Sequence, residues 1–121
     1  MRLLSIALLL VCLPAVAQEK TGAEVYASTC MECHGGGKHN APLFGNKKHW
    51  GKLVREGLDD LVPAALRGER KMPAKGGNAE LSDLEVARGV VHMANAGGGK
   101  FAEPTLEDAI RWRAKVDKKK H

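Results

Sequence analysis

The sequence contains a C-x-x-C-H motif at residues 30–34, in which Cys30 and Cys33 are followed directly by His34. This is the pattern by which a c-type haem is attached covalently. The two thiols add to the vinyl groups on one edge of a porphyrin, and two intervening residues on a helical turn hold the sulfur atoms at about that separation. The histidine of the same turn then lies under the iron as its proximal ligand. The motif therefore predicts one haem c bound through Cys30 and Cys33, with His34 as a metal ligand.

Two other kinds of protein also use parts of this motif. A C-x-x-C pair alone occurs in zinc sites and in thioredoxin-like redox centres, so a colourless thiol–disulfide protein is one alternative. That alternative gives no role to His34, and no βαβ pattern accompanies the motif. The second alternative is a peroxidase or a gas-binding haem protein, which requires an open or labile sixth position on the iron.

The N-terminal residues have the organisation of a secretory signal peptide. Arg2 supplies a short positive region, residues 3–13 are apolar, and an A-x-A cleavage site ends at Ala17. The apolar stretch is too short to span a bilayer. Cys12 lies within it and is removed with it. We therefore expect residues 1–17 to be cleaved off, export to the periplasm, and no stable membrane anchor.

The mature chain is long enough for one small domain and is basic. The whole sequence has 19 Lys and Arg against 14 Asp and Glu, a net charge of +5, and loses one positive charge with the leader. An exported protein meets no nucleic acid, so we expect a solvated basic surface that includes a docking face for an acidic redox partner. The candidate docking residues flank the segments expected to border the haem and are Lys38, Lys47, Lys48 and Lys75. Aromatic residues make up only 4% of the chain, and a porphyrin would supply the missing apolar bulk.

Capping residues and apolar spacing predict a series of helices. Thr21, Ser82 and Thr105 each precede an acidic residue by three positions, as in a capping box. The predicted helices are 21–34 (ended by glycines 35–37), 47–57, 59–68, 82–97, and one that begins at 105. Pro63 disfavours a helix that begins much before Val62, which leaves the start of the third helix open.

Taken in order, these motifs resemble the class I c-type cytochromes, and among them the short bacterial c-five-like branch. The resemblance covers residues 20–97 and departs from the family at His92, where an aromatic residue is usual. It implies an all-α cytochrome c fold of about four to five short helices around one haem, in a periplasmic electron carrier. The matching elements are Gly22-x-x-x-Tyr26, Cys30-x-x-Cys33-His34, Ala41-Pro42-Leu43-Phe44-Gly45, Trp50, Lys71-Met72-Pro73, Gly76-Gly77, Leu81-Ser82-Asp83-Leu84-Glu85 and His92-Met93.

The resemblance also implies roles for single residues. The carbonyl of Pro42 accepts the Nδ1–H of the proximal histidine, although an ordinary turn proline is the alternative. Trp50 either donates its indole N–H to a haem propionate or only packs. Gly22 and Gly89 lie where the N-terminal helix crosses helix 82–97, with Tyr26 beside them.

The sixth ligand to the iron is assigned to Met72. It lies 38 residues after His34, enough chain to wrap the haem, and Pro73 keeps it off a helix. Met31 is excluded because it lies between the attachment cysteines. The remaining candidates are Met93, His39, His49 and His92, of which Met93 lies in an apolar helical run typical of core packing.

These assignments favour one-electron transfer over catalysis. Ligation by histidine and methionine fills both axial positions and raises the reduction potential, so we expect no enzymatic activity. A free shuttle and the haem-carrying subunit of a periplasmic oxidoreductase remain alternatives, as do a monomer and a subunit of a redox complex. Residues 18–100 are predicted to form the haem domain. Residues 101–121, a helical extension with a basic tail, either pack on that domain or extend to a partner, and should be dispensable for haem attachment.

Overall fold

The computed structural model describes residues 2–12 and 19–119. Within these ranges the regular elements are helices, which confirms the all-α prediction. Residues 2–12 contain no helix or strand and are exposed. No helix in the described ranges is long and apolar enough to cross a membrane. The predicted cleavage site after Ala17 and the end of the basic tail lie outside the described residues.

The helices follow one another with short connections. The first two α-helices are α1 (Gly22–Val25) and α2 (Met31–His34). A π-helical turn, Tyr26–Cys30, joins them without a break, so that α1, the turn and α2 form one N-terminal helix. Short 3-10 turns lie at Lys38–Asn40 and Ala74–Gly77. The α-helices are α1 (Gly22–Val25), α2 (Met31–His34), α3 (Lys47–Glu56), α4 (Leu58–Arg67), α5 (Asp83–Ala96) and α6 (Leu106–Lys118).

The predicted capping residues begin three of these helices. Ser82 and Thr105 form complete capping boxes at the starts of α5 and α6. At α1 the Oγ1 atom of Thr21 accepts the backbone N–H of Glu24 at 3.2 Å, which is the first half of such a box. Each cap satisfies backbone donors that the helix itself leaves unpaired, and this fixes where the chain turns into the helix.

Pro63 lies inside α4, which begins five residues earlier at Leu58. The N–H that a proline lacks would have bonded to the carbonyl of Asp59, one helical turn before it. The ammonium of Lys115, on α6, donates to that carbonyl at 2.6 Å. This contact gives the carbonyl of Asp59 the partner that Pro63 cannot supply. The helix therefore begins well before Val62, at the boundary that the sequence did not define.

The main hydrophobic core lies between the N-terminal helix, α4, α5 and α6. Two of its members, Trp112 and Val116, come from α6 and are 2% and 1% exposed. The C-terminal segment therefore packs on the domain and does not extend away from it. The buried members of this core are Val25, Val62, Ala65, Leu66, Leu81, Val86, Ala87, Val90, Trp112 and Val116.

The N-terminal helix crosses α5 at two glycines. A Cβ atom added to Gly22 would collide with the backbone carbonyl of Arg88. A Cβ added to Gly89 would lie 2.8 Å from Cγ1 of Val25. The backbones approach too closely for any side chain at these two positions, which is the arrangement that the resemblance implied.

We expect Gly22→Ala to destabilise the protein by about 1–3 kcal/mol, the usual cost of forcing an extra methyl group into a packed contact. The measurement is denaturant unfolding of the haem-loaded protein. Gly36→Ala is the matched control, because no atom lies within 4 Å of its Cβ position and its φ is not in the left-handed region. Equal stabilities of the two variants would contradict the close crossing.

Candidate functional site

The two cysteines of the motif lie one helical turn apart on the N-terminal helix. Cys30 ends the π-helical turn and Cys33 lies in α2. Residues three apart on a helix share a face, so both thiols lie on the same side. π-helical turns inside α-helices are frequent at functional sites. Two partly buried thiols on one face are suited to attachment at two points along one edge of a ligand.

The Cys30 thiol is poorly placed for redox chemistry of its own. Its sulfur lies against α5, 3.5 Å from the position of a Cβ on Gly89. Burial raises the pKa of the Cys30 thiol to about 11. Reactive redox cysteines instead have lowered pKa values, because the thiolate is the nucleophile. This environment counts against a thiol–disulfide protein and suits a sulfur that is held as a neutral thioether.

His34 is buried at the end of α2 with its ring held in one orientation. Its Nδ1 lies 2.8 Å from the carbonyl oxygen of Pro42. Because a carbonyl only accepts, the proton lies on Nδ1 and the lone pair on Nε2. The N–H of Phe44 also donates to the carbonyl of His34 at 2.9 Å, which ties the segment around Pro42 to the helix end. Such a hydrogen bond fixes the tautomer and leaves Nε2 able to bind a metal.

Trp50 is buried on α3 beside His34. The centroids of the two rings are 5.9 Å apart. Its indole N–H donates to the carbonyl of Leu43 at 3.0 Å. A Cβ on Gly97 would collide with the Trp50 side chain, so the indole is closely packed on its other side. Since the indole N–H already has a partner, this geometry favours packing over donation to a propionate.

Met72 lies in the connection between α4 and α5, where Pro73 predicted irregular backbone. The backbones of Glu69 and Met72 exchange two hydrogen bonds of 3.0 and 2.8 Å. The turn between them contains Arg70 with φ of 52°. The Met72 side chain is half-buried and packs at the edge of the main core. A tight turn, and not a helix, therefore presents the thioether.

The structure brings this loop onto the turn that carries the first cysteine. The side-chain amide of Asn78 donates to Oγ1 of Thr29 at 3.2 Å. A Cβ on Gly76 would lie 3.0 Å from Cγ2 of the same threonine. Thr29 directly precedes Cys30, so residues shortly after Met72 contact the attachment turn.

The other methionine and histidine candidates occupy different surroundings. Met93 is buried in α5 and belongs to a small core with Trp50 and Ala94. Nδ1 of His49 accepts the backbone N–H of Leu43 at 3.2 Å. His39 is exposed. None of these contacts resembles a side chain held for metal binding.

His92 belongs to a cluster of three rings that the sequence did not predict. Its ring centroid lies 5.7 Å from that of Tyr26 and 5.4 Å from that of Phe44. The Tyr26 and Phe44 rings stack at 4.3 Å. The imidazole thus fills the place of the aromatic side chain that the family usually has. The Gly22-x-x-x-Tyr26 motif of the resemblance indicated this crossing, but nothing in the sequence predicted that Phe44 lies in it.

A charged network near the Met72 loop was also missed by sequence reasoning. Asp83, at the start of α5, pairs with Lys75 from the loop and with Arg113 from α6. Lys75 and Asp83 are eight residues apart, whereas Arg113 lies 30 residues after Asp83, and the three form no motif. Only the packing of α6 brings Arg113 to the other two.

The chemistry of these donors fits haem c. Two thiols lie on one helical face, a fixed imidazole presents a free lone pair, and a thioether is displayed from a loop that contacts the attachment turn. Thiol pairs attach the porphyrin, and imidazole with thioether is the axial pair of cytochromes c.

Sequence comparisons agree with this donor set. A family model described as "Cytochrome C oxidase, cbb3-type, subunit III" matches residues 17–93. Cytochrome c-555 of Chlorobaculum tepidum is 37% identical over 76 residues, which cover 60% of this chain and 70% of the relative. Cytochrome c5 of Azotobacter vinelandii is 36% identical over 77 residues, covering 62% and 93%. Cytochrome c6 of Microcystis aeruginosa is 33% identical over 79 residues, covering 63% and 98%.

A solved structure shares the fold. It is a chain from the "Crystal structure of electron transfer complex of nitrite reductase with cytochrome c", which aligns with a TM-score of 0.61 at 33% identity. The alignment covers 66% of this chain and 99% of the other. The match to the family model ends within α5, so α6 lies beyond it.

Proposed function

Because the chain belongs to the class I monohaem c-type cytochromes, we propose that it is an exported one-electron carrier that works in the periplasm. Bound haem c supplies a reversible ferric–ferrous couple. The polypeptide holds the cofactor, excludes water from most of it and leaves an edge accessible to partners. The signal peptide predicted at residues 1–17 supports export, and mass spectrometry of periplasmic protein should find a chain that begins at Gln18.

Five residues have assigned roles in holding the haem. Cys30 and Cys33 form the thioether bonds, His34 is the proximal ligand and Met72 the distal ligand. Pro42 orients the proximal imidazole through its carbonyl. With His34 and Met72 as its two protein ligands, a bound haem iron would have no open position for substrate, and we expect no enzymatic activity.

The observation that carries this proposal is the partly buried hydrogen bond between His34 and Pro42. At 2.8 Å it leaves the lone pair of Nε2, and not that of Nδ1, free to bind a metal. The same bond raises the basicity of the ligand and restricts ring rotation. A ligand held in one orientation in both oxidation states lowers the structural change that electron transfer requires.

Trp50 acts through packing in this proposal. Its indole N–H is bound to Leu43, the residue after Pro42, and its ring lies beside His34. Trp50 therefore holds the segment whose carbonyl orients the imidazole. We infer that it contacts the haem with its ring and not through a hydrogen bond to a propionate.

The experiment that tests electron carriage is a potentiometric titration of the purified holoprotein followed by visible spectroscopy. We expect one reversible transition that fits a single electron, with the same spectra in the oxidative and reductive directions. Hysteresis, or a transition that cannot be fitted with one electron, would contradict the proposal.

For partner recognition we propose a basic docking face at the start of α3. Lys47 and Lys48 are exposed in its first turn. Cations at a helix N-terminus are unfavourable for helix stability, so these positions are not explained by the helix itself. The same helix carries Trp50, whose ring lies 5.9 Å from that of His34, and this proximity supports a face on the His34 side of the site. An acidic redox protein is the complementary partner.

Two other lysines considered for this face have partners within the chain. Lys38 lies 3.6 Å from Glu32. The ammonium of Lys75 donates to the carbonyl of Leu81 at 2.6 Å. Lys75 is therefore not available for docking, which corrects its inclusion among the flanking lysines that border the haem.

We expect the double charge reversal Lys47→Glu with Lys48→Glu to slow oxidation of the ferrous protein by hexacyanoferrate(III), a small anionic oxidant. The bimolecular rate at low salt should fall by about tenfold, since surface charges act mainly on encounter. The difference should shrink as salt rises, because charges are screened over about 8 Å at physiological ionic strength. Lys118→Glu with Lys119→Glu makes the same change in net charge at the far end of α6. If both double variants slowed the oxidation equally, the rate would depend on the net charge of the protein and not on this face.

A haem-carrying subunit of a periplasmic oxidoreductase is the second candidate function. The description of the matching family model, an oxidase subunit, favours it. So do Leu106 and Ile110 on α6, each 63% exposed. Size-exclusion chromatography of the native periplasmic protein discriminates between the two functions. A free shuttle elutes as a monomer, whereas a subunit elutes together with its complex.

A further inference from the structure

We propose that Arg113, on α6, is a positioning residue for Met72, because it completes an ion-pair network through Asp83 and Lys75 that anchors the loop at residues 72–77. The inference rests on the proposed role of Met72 as the sixth ligand. It gives a function to α6, which lies beyond the segment that matches the family.

The first link joins α6 to the start of α5. The guanidinium of Arg113 donates to both carboxylate oxygens of Asp83, from Nε at 2.9 Å and from Nη2 at 2.8 Å. Paired donors on a planar fork make this the strongest geometry of an arginine–carboxylate contact. The hydrogen bonds from Arg113 lower the pKa of Asp83, and burial opposes them only in part. Asp83 therefore stays charged at neutral pH and holds a fixed position.

The second link joins Asp83 to the loop. The ammonium of Lys75 lies 3.5 Å from Oδ1 of Asp83 and also donates to the carbonyl of Leu81. The exposed fractions of the side chains are 31% for Arg113, 25% for Asp83 and 20% for Lys75, so solvent screens these pairs less than it screens surface pairs. Lys75 is three residues after Met72.

The backbone at Lys75 needs such an anchor. Its φ is 56° and that of Gly76 is 64°, both in the left-handed region. For a residue with a side chain this conformation is unfavourable and persists only where surrounding contacts hold it. The contacts with Asp83 and Leu81 hold it here.

The loop has a second, independent anchor. Asn78 is bonded to Thr29 on the attachment turn, and this contact involves none of the three charged residues. Loss of the Arg113 contact leaves Asp83 without its strongest partner and so weakens the hold of Asp83 on Lys75. The side of the loop near Met72 is loosened, while the other side stays attached. The expected result is local detachment of Met72 without unfolding of the domain.

The experiment uses the ferric holoprotein and imidazole as an exogenous ligand that replaces the methionine. At saturating imidazole the observed rate reports how fast Met72 detaches, and loss of the sulfur-to-iron charge-transfer band reports the exchange. We expect Arg113→Met to raise this rate by about tenfold, the factor that a loss of one partly buried charged contact gives. Arg113→Lys, which keeps the charge, should give an intermediate rate.

Two further variants separate positioning from general stability. Lys75→Met leaves the docking of α6 intact and should raise the rate as Arg113→Met does, and the double variant should add little to either, since both act on one network. Val116→Ala destabilises the same helix without touching the network and should leave the rate unchanged. An exchange rate for Arg113→Met equal to wild type, or an equal increase in Val116→Ala, would overturn the proposal. A wild-type protein with no charge-transfer band to lose would show instead that the assignment of Met72 is wrong, and the inference would fall with it.

Discussion

Replacing Met72 with alanine is expected to abolish the sulfur-to-ferric-iron charge-transfer band, lower the reduction potential and open the ferrous iron to carbon monoxide. A thioether ligand stabilises the ferrous state, and axial ligands shift haem potentials over a range of about 0.8 V. We therefore expect a fall on the order of a hundred millivolts or more within that range. Visible spectra and a potentiometric titration of the variant measure all three effects.

Met93→Ala is the matched control, because Met72 and Met93 are the two methionines that follow the C-x-x-C-H motif in the sequence. Met93 is buried in α5, so we expect a loss of stability of about 2–5 kcal/mol with the band and the potential unchanged. A Met72→Ala protein that kept the band would move the sixth ligand to another residue, with Met93 the first to test.

Trp112→Ala is expected to destabilise the holoprotein by about 3–5 kcal/mol, the usual cost of removing a buried aromatic side chain. Trp112 belongs to the main core, and its indole N–H donates to the carboxylate of Asp59 at 2.8 Å. Denaturant unfolding followed by far-ultraviolet circular dichroism gives the free energy. Trp112→Phe should recover part of it, because it keeps a six-membered aromatic ring in the core but is smaller than the indole and loses the hydrogen bond to Asp59.

Truncation after Lys100 extends the same test. It removes α6 entirely, so the stability loss should exceed that of Trp112→Ala. The truncated chain should still acquire haem covalently, because all the proposed attachment and ligand residues precede the cut. A truncated protein without attached haem would mean that α6 is needed to form the site and not only to stabilise it.

Local signals in the sequence predicted most of the fold. Capping residues at 21, 82 and 105 marked real helix starts because they satisfy backbone donors locally, whatever surrounds them. The glycines at the crossing of the N-terminal helix and α5 were also predictable, since the resemblance implied a close approach there. The start of α4 was predicted at residue 59, one residue from the observed Leu58, but Pro63 left it open. The donor from Lys115 that satisfies the carbonyl of Asp59 is distant in sequence and could not be predicted.

The candidate site also has a part that local sequence signals predicted and a part that only the fold shows. Cys30, Cys33 and His34 are contiguous, so their chemistry could be predicted from spacing alone. The choice between two roles for Trp50 depended on whether its indole N–H had a partner, which only the fold shows. The link from Arg113 to the Met72 loop could not be predicted for the same reason. Nor could the contacts of Lys75 with Asp83 and Leu81, although Lys75 had been expected to be free for docking.

The central claim is that the iron is held by His34 and Met72 with no position open, and visible spectra of the wild-type holoprotein test it most directly. The protein is produced with haem-maturation machinery, and its ferric, ferrous and carbon monoxide-treated ferrous forms are recorded. The account predicts a ferric spectrum with the sulfur-to-iron charge-transfer band and a ferrous spectrum that carbon monoxide leaves unchanged. A ferric spectrum without that band, together with a ferrous spectrum that shifts on addition of carbon monoxide, would contradict it.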